Sequence, residues 1–245
     1  MINYKYKSPN YNYRVKDSKV EFIIIHYTGL DMEFDKVINW FLSEGSKVSC
    51  HFLIDKSGEI YNLVDLSKRA WHAGQSCWNN CIDINSHSIG IELHNSGNED
   101  FTTHQFESLV KLIKKLMSEN AIRSWDILGH SDVSIGRKID PGTKFPWHQL
   151  ATENISYFSS LSQGNFDIDI SDNNNPQSIK EIQNKLISIG YDVNKSGIFD
   201  PQTVEGLRAF QRHWRPSAVN GLLDRSTKDI LTDVCEKFSQ FRSEY

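Results

Sequence analysis

Two histidines stand at the ends of short apolar runs: His26 closes Ile23-Ile24-Ile25, and His130 closes Ile127-Leu128-Gly129. A strand end projects a side chain from a rigid base into a loop-lined cleft. Imidazole nitrogen is a good donor for a catalytic zinc, which takes three protein ligands and leaves a fourth position open. Either histidine alone reads more simply as a structural or surface residue. A third segment, Gly136-Arg137-Lys138-Ile139-Asp140-Pro141-Gly142, follows soon after His130. The proline biases Asp140 toward extended backbone and so limits where its carboxylate points. His26, His130 and Asp140 are therefore a candidate ligand set, with an exposed turn bearing solvated charges as the simpler alternative for the third member.

These residues need a frame. Residues 20–27 read as a short buried strand, because four consecutive apolar residues run into the polar turn Thr28-Gly29. Residues 35–42 carry helical periodicity through Val37, Ile38, Phe41 and Leu42. Residues 48–54 and 59–64 flank Asp55-Lys56-Ser57-Gly58, a hairpin signature in which glycine supplies the positive φ of the turn. Residues 88–93 alternate, with Ile89, Ile91 and Leu93 on one face, so Gly90 and Glu92 lie on the other. Residues 102–120 predict the clearest helix, capped by Thr102 or Thr103, with Phe106, Leu109, Val110, Ile113, Leu116 and Met117 inward. Residues 125–130 predict a further strand ending on His130. Strands and helices interleave without a strict βαβ repeat, so the expected fold is α/β, a mixed central β-sheet flanked by helices.

After Ser162 the chain turns polar, ending in Asp172-Asn173-Asn174-Asn175-Pro176. This composition predicts a linker over 162–176, between a larger domain at 1–161 and a small one at 177–245. In the small one, Ile179, Ile182, Leu186 and Ile189 mark a helix stopped by Gly190 as a left-handed residue. Residues 203–213 (Val204, Leu207, Phe210) predict a second helix behind Asp200-Pro201, and residues 226–238 a third. Three short helices make a small independent module.

Several of these segments together resemble the type-2 N-acetylmuramoyl-L-alanine amidases, the AmpD/AmiD branch of the fold shared with peptidoglycan recognition proteins. The resemblance spans residues 20–150. It rests on Ile25-His26-Tyr27-Thr28, Val48-Ser49-Cys50-His51-Phe52-Leu53-Ile54, Ala70-Trp71-His72-Ala73-Gly74, Ser88-Ile89-Gly90-Ile91-Glu92-Leu93, Leu128-Gly129-His130-Ser131-Asp132, Arg137 to Gly142, and Phe145-Pro146-Trp147. It implies that His26, His130 and Asp140 bind one zinc ion, that Glu92 is the general base, and that Lys138 stabilises the oxyanion. The implied reaction is hydrolysis of the amide between N-acetylmuramic acid and L-alanine. Without the resemblance, Glu92 reads as a surface strand carboxylate and Lys138 as a solvated charge. His51 stands either as a group orienting a ligand or as a packed core histidine. Trp71, His72, Ala73, Gly74 and Asn85 are candidate substrate contacts, the small Ala73-Gly74 backbone admitting a peptide stem. The stretch from Cys77 to Asp83 matches the family poorly, and His87, His104, His148 and His213 read as surface residues.

The second segment resembles the three-helix type-1 peptidoglycan-binding domain, through Ile182-Gln183, Leu186, Gly190-Tyr191, Gly197-Ile198-Phe199-Asp200, Thr203, Leu207, Phe210-Gln211, Asn220-Gly221, Thr227 and Leu231. Most of these are core or turn positions, so wall binding is an implication, and an appendage that narrows the catalytic cleft is the other reading.

Composition bounds the partners. With 24% charged and 38% hydrophobic residues the chain is globular, and a net charge of −4 without a basic stripe argues against nucleic acid. The longest apolar run, Phe22 to Ile25, is far too short to span a bilayer, and mean hydropathy is −0.49. Cys50, Cys77, Cys81 and Cys235 have spacings unlike a disulfide framework or zinc ribbon; Cys77 and Cys81 could pair, but free thiols are the favoured reading. The expected partner is peptidoglycan or a muropeptide, bound by a monomer. No apolar leader follows the N-terminus, which favours the cytoplasm, whereas the wall-binding resemblance favours the cell envelope, the location preferred here. A non-catalytic wall-binding protein and a phage lytic enzyme are the competing readings, and a full set of ligands and catalytic groups weighs against the first.

Overall fold

A computed structural model of the chain describes residues 1–163 and 175–243. Its strands are β1 (Ile2–Asn3), β2 (Tyr11–Tyr13), β3 (Phe22–Tyr27), β4 (Phe52–Ile54), β5 (Ile60–Asn62), β6 (Lys68–Ala70), β7 (Ser88–Leu93) and β8 (Ile127–Gly129). Its α-helices are α1 (Phe34–Leu42), α2 (Ile84–His87), α3 (Thr103–Asn120), α4 (His130–Val133), α5 (Trp147–Thr152), α6 (Pro176–Ile189), α7 (Pro201–Trp214) and α8 (Arg225–Ser243). The main sheet has the order β1-β5-β4-β7-β3-β8, and β2 pairs with β6 in a separate ribbon. β3 runs parallel to β7 and β8, and β7 parallel to β4, while β4 and β5 form the antiparallel hairpin. The expected mixed α/β sheet is present.

β3 lies inside the sheet, between β7 and β8, and its β-branched run is apolar on both faces, as a doubly covered strand must be. Ile23 and Ile25 join Ile89, Ile91 and the α3 residues Leu109, Ile113 and Leu116 in one cluster. Ile24, on the opposite face, joins a second cluster. Each of these fully buried side chains contributes roughly 1.5–3 kcal/mol of transfer free energy. Helix α3 starts where Thr102 accepts a hydrogen bond from the Gln105 amide. Buried Gln105 then donates to the Ile54 and His94 carbonyls, anchoring the helix to the ends of β4 and β7.

The strand expected to end on His130 stops at Gly129, preceded by a single tight turn at Ser124–Asp126, and His130 instead opens α4. The C-terminal helices pack on the rest of the chain: Leu186, Tyr191, Leu207, Phe210, Trp214 and Leu231 share one apolar cluster with Phe22, Ile24, Trp78 and Leu128. Trp78 shows how close the fit is, since a Cβ on Gly190 would lie 2.6 Å from its ring. Gly190 does end α6, but at φ 141° rather than in the left-handed helical region, which brings the chain flat against that indole. Most of the expected linker lies outside the described residues. Cys50, Cys77, Cys81 and Cys235 are unpaired.

Candidate metal and catalytic site

The sheet carries the site on the face opposite α3. In the parallel pairing of β3 with β7, Ile24 lies beside Gly90 and His26 beside Glu92. Strand alternation therefore puts the His26 and Glu92 side chains on one face, while Ile25 and Ile91 go to the core below. β8 pairs with β3 through Gly129, opposite Ile25, and delivers His130 one residue later. The loop after α4 returns to bring Asp140 over both histidines, and the Ser131 amide holds the Asp140 carbonyl at 2.9 Å.

Three donor atoms meet there. His26 Nδ1, His130 Nδ1 and Asp140 Oδ2 lie 3.0 Å from one another, and all three residues are buried. A tetrahedral zinc with bonds of roughly 2.0–2.2 Å places its ligand atoms ~3.3 Å apart, so the cluster has the right size and donor types. Proton bookkeeping agrees. The Ser88 hydroxyl donates to the Ile84 carbonyl and so must accept from His72 Nε2; neutral His72 then presents its Nδ1 lone pair to His26 Nε2–H, 3.1 Å away. Burial, with the neighbouring histidine His130, holds His26 down to about 4, and burial holds His72 well below its usual range, so both rings are neutral near pH 7. His26 thus directs a lone pair to the centre. His130 Nε2 lies 3.1 Å from the Ala73 carbonyl and 3.3 Å from Arg137 Nη2; in the tautomer that donates to the carbonyl, the Nδ1 lone pair faces the same point. Burial alone would raise the Asp140 pKa, but the two imidazoles outweigh it and keep the carboxylate ionised. Converging lone pairs around an anion are what a cation site requires.

Glu92 is the second chemical element. Its Oε2 is buried and has no hydrogen-bond partner among the described residues, an expensive arrangement unless something else occupies the space before it. Burial, and then the Asp140 charge, raise the Glu92 pKa well above the carboxylate range, with Lys138 opposing. A carboxyl tuned upward in a cleft suits proton transfer near neutral pH. The cleft above is about 530 Å³ and is lined by His26, Glu92, His130, Lys138 and Asp140 together with Trp40, Phe41, Val48, Trp71 and Ile139.

The expected substrate contacts divide. Trp71 and His72 line this cleft, Trp71 fixed by an indole N–H bond to Asn12 Oδ1. His72 is buried against Gly90, where a Cβ would come within 2.4 Å of its ring, so its position is behind His26 rather than on an open rim. Ala73, Gly74 and Asn85 do not line the cleft. Asn85 is buried, and its Oδ1 accepts from the His72 and Ala73 amides, shaping the loop from behind. Ala73 is buried too and offers its carbonyl, while Gly74 lies under the Arg137 guanidinium. His51 is a core histidine that holds the sheet, accepting from the Gly90 amide at Nδ1 and donating to the Lys68 carbonyl from Nε2. His213, expected on the surface, is buried and bonded to Asp132.

Sequence reasoning passed over Arg137, which bonds the Ala73 and Gln75 carbonyls and lines the cleft, and Arg14, whose guanidinium gathers the Leu66, Asn85, Ser86 and Ser88 carbonyls. Position beside Lys138 was a signal for Arg137; nothing in the sequence flagged Arg14.

Residues 16–143 match the family model described as N-acetylmuramoyl-L-alanine amidase, and residues 175–231 match that of a putative peptidoglycan binding domain. The chain belongs to the N-acetylmuramoyl-L-alanine amidase family. It is 31% identical to the amidase AmiD of Escherichia coli K12 over 91% of this chain and 84% of that one. It is 34% identical to the 1,6-anhydro-N-acetylmuramyl-L-alanine amidase AmpD of Haemophilus influenzae, over 58% and 87%. Among solved structures, the Escherichia coli AmiD complex with anhydro-N-acetylmuramic acid-L-Ala-D-γ-Glu-L-Lys superposes with a TM-score of 0.78 at 28% identity, covering 93% of each chain. The protein is an amidase, and its two segments follow the AmiD layout.

Proposed function

We propose that this amidase is zinc-dependent and hydrolyses the bond between N-acetylmuramic acid, or its 1,6-anhydro form, and the L-alanine of the stem peptide, in peptidoglycan or released muropeptides. The observation that carries this reading is the meeting of His26 Nδ1, His130 Nδ1 and Asp140 Oδ2 at the floor of a cleft into which Glu92 also points. His26, His130 and Asp140 would hold a zinc ion, which would supply Lewis-acid polarisation of a carbonyl and a more acidic water near neutral pH. Glu92 takes the proton of the attacking water at its unpartnered Oε2 and returns it to the alanine nitrogen as the C–N bond breaks. Lys138 lines the cleft, and its ammonium would offset charge developing on the lactyl carbonyl oxygen. Trp71 and Trp40 offer flat apolar faces to the sugar and stem, while Asn85, Ala73 and Gly74 act indirectly by shaping the loop that carries His72.

The reading extends to one zinc per chain and a monomer in the cell envelope. Pairing with a peptidoglycan-binding segment favours the envelope over the cytoplasm. No described helix is long and apolar enough to cross a membrane. Digestion of purified peptidoglycan tests the chemistry: stem peptides with a free L-alanine amine should appear, vanish on chelation and return on adding zinc. Release unaffected by chelation would contradict the zinc assignment. Cell fractionation tests the location, and recovery wholly in the cytoplasm would overturn it.

A further inference from the structure

We propose that His213 and Tyr191, both in the C-terminal segment, are positioning residues of the metal site, acting through Asp132. The proposal rests on the reading of His26, His130 and Asp140 as that site.

Asp132 lies two residues after His130 in α4 and is buried. Its Oδ2 accepts from the Gly129 amide at 2.7 Å and from His213 Nδ1 at 2.8 Å, and its Oδ1 accepts from the Tyr191 hydroxyl at 2.7 Å. A carboxylate so deeply buried survives only with its lone pairs satisfied. Two of its three donors come from beyond residue 175. Burial, reinforced by the Asp132 charge, holds the Tyr191 phenol well above its usual pKa, so Tyr191 remains a donor.

What Asp132 holds is the turn that bears the ligands. The Gly129 amide, in the Leu128–Gly129 peptide unit, lies one residue before His130, and Ser131, one residue after it, donates its amide to the Asp140 carbonyl. The first turn of α4 therefore sets two of the three ligand positions. It has little room to move: a Cβ on Gly129 would lie 2.8 Å from Pro141 and 3.3 Å from both Asp132 and Trp147. Trp147 stacks on one face of the His213 ring at 3.7 Å between centroids, and Trp214 stacks on the other at 3.8 Å. His213 is thus held in a ring sandwich with Nδ1–H aimed at Asp132. Helix α7 also packs Glu205 against Gly136, in the loop that runs on to Lys138 and Asp140. The segment whose family model names wall binding is built into the support of the metal ligands.

Groups behind a metal's ligands typically alter its affinity about 10–100-fold when removed. The test measures zinc affinity by chelator competition on the full chain, with the visible absorption of the cobalt-substituted protein and thermal stability in parallel. His213→Phe keeps the ring sandwich and removes the donor; Tyr191→Phe removes one hydroxyl; His213→Asn restores an N–H near the Nδ1 position. Leu231→Ala, in the α8 core, is the control for plain loss of stability. Expected are zinc binding weakened at least about tenfold and altered cobalt bands in His213→Phe, a smaller change in Tyr191→Phe, partial recovery in His213→Asn, and unchanged affinity in Leu231→Ala. Parental zinc affinity and cobalt spectra in both Phe variants would overturn the proposal alone, even with a lowered Tm. Failure of the unaltered protein to bind zinc would overturn the metal-site reading together with it.

Discussion

At the scale of the residue, the site depends on directing protons away from one point. Ser88, His72 and His26 form a one-way series of hydrogen bonds that ends in a lone pair facing His130 and Asp140. Replacing His72 with Ala removes the acceptor for His26 Nε2–H and frees that ring to turn. We expect zinc affinity to fall about 10–100-fold, measured by chelator competition, with Gly90→Ala producing a similar loss because its methyl group would displace His72. Unchanged affinity in both would show that the series does not orient His26. Strand alternation is legible in sequence and accounts for the shared face of His26 and Glu92, whereas the role expected for Glu92 came from the family resemblance, and Asp140 lies in a loop with no periodicity to place it. The roles of Ser88 and Asn85 were not legible, since they face groups brought near only by folding.

At the scale of the element, long periodic segments were read well and short ones poorly. Helix α3 begins at its expected cap, whereas β8 yields to α4 at His130, because a three-residue strand has no periodicity of its own and the Asp132 bond to the Gly129 amide turns the chain. His51 shows how such short strands are tied, joining β7 to β6 from its two nitrogens. Its Nδ1 accepts a backbone N–H, so protonation breaks that bond, and burial, aided by the Arg14 charge, lowers its pKa to about 3. The unfolded chain takes up this proton near pH 6.5, so between the two values the unfolded state binds more protons. Stability from this group is therefore complete above about pH 6.5 and falls toward pH 3 by roughly 1.4 kcal/mol per pH unit. His51→Asn, which keeps an acceptor but does not titrate, should be less stable at pH 7 and show a shallower acid slope in urea denaturation. An unchanged slope would assign the acid sensitivity elsewhere.

At the scale of the molecule, the two segments expected from sequence share one apolar core. Their independence was inferred from polar composition near residue 170, while the residues that join them, Trp78, Asp132, Tyr191, His213 and Trp214, look unremarkable one at a time. A shared core implies shared cooperativity. Scanning calorimetry should give one transition for the whole chain, with equal calorimetric and van't Hoff enthalpies; two resolved transitions would mean that the segments unfold separately. The same joining makes the cleft and the C-terminal helices one mechanical unit.

The central claim is that Glu92 moves the proton in a site whose metal is held by other residues. Its most direct test is mass spectrometry of peptidoglycan digested by the parent protein and by Glu92→Gln, with bound zinc quantified in each sample. The account predicts stoichiometric zinc in both proteins and stem-peptide release roughly 10²–10⁴-fold slower in the variant, the usual contribution of a general acid-base group. Release at the parental rate from zinc-loaded Glu92→Gln would contradict it.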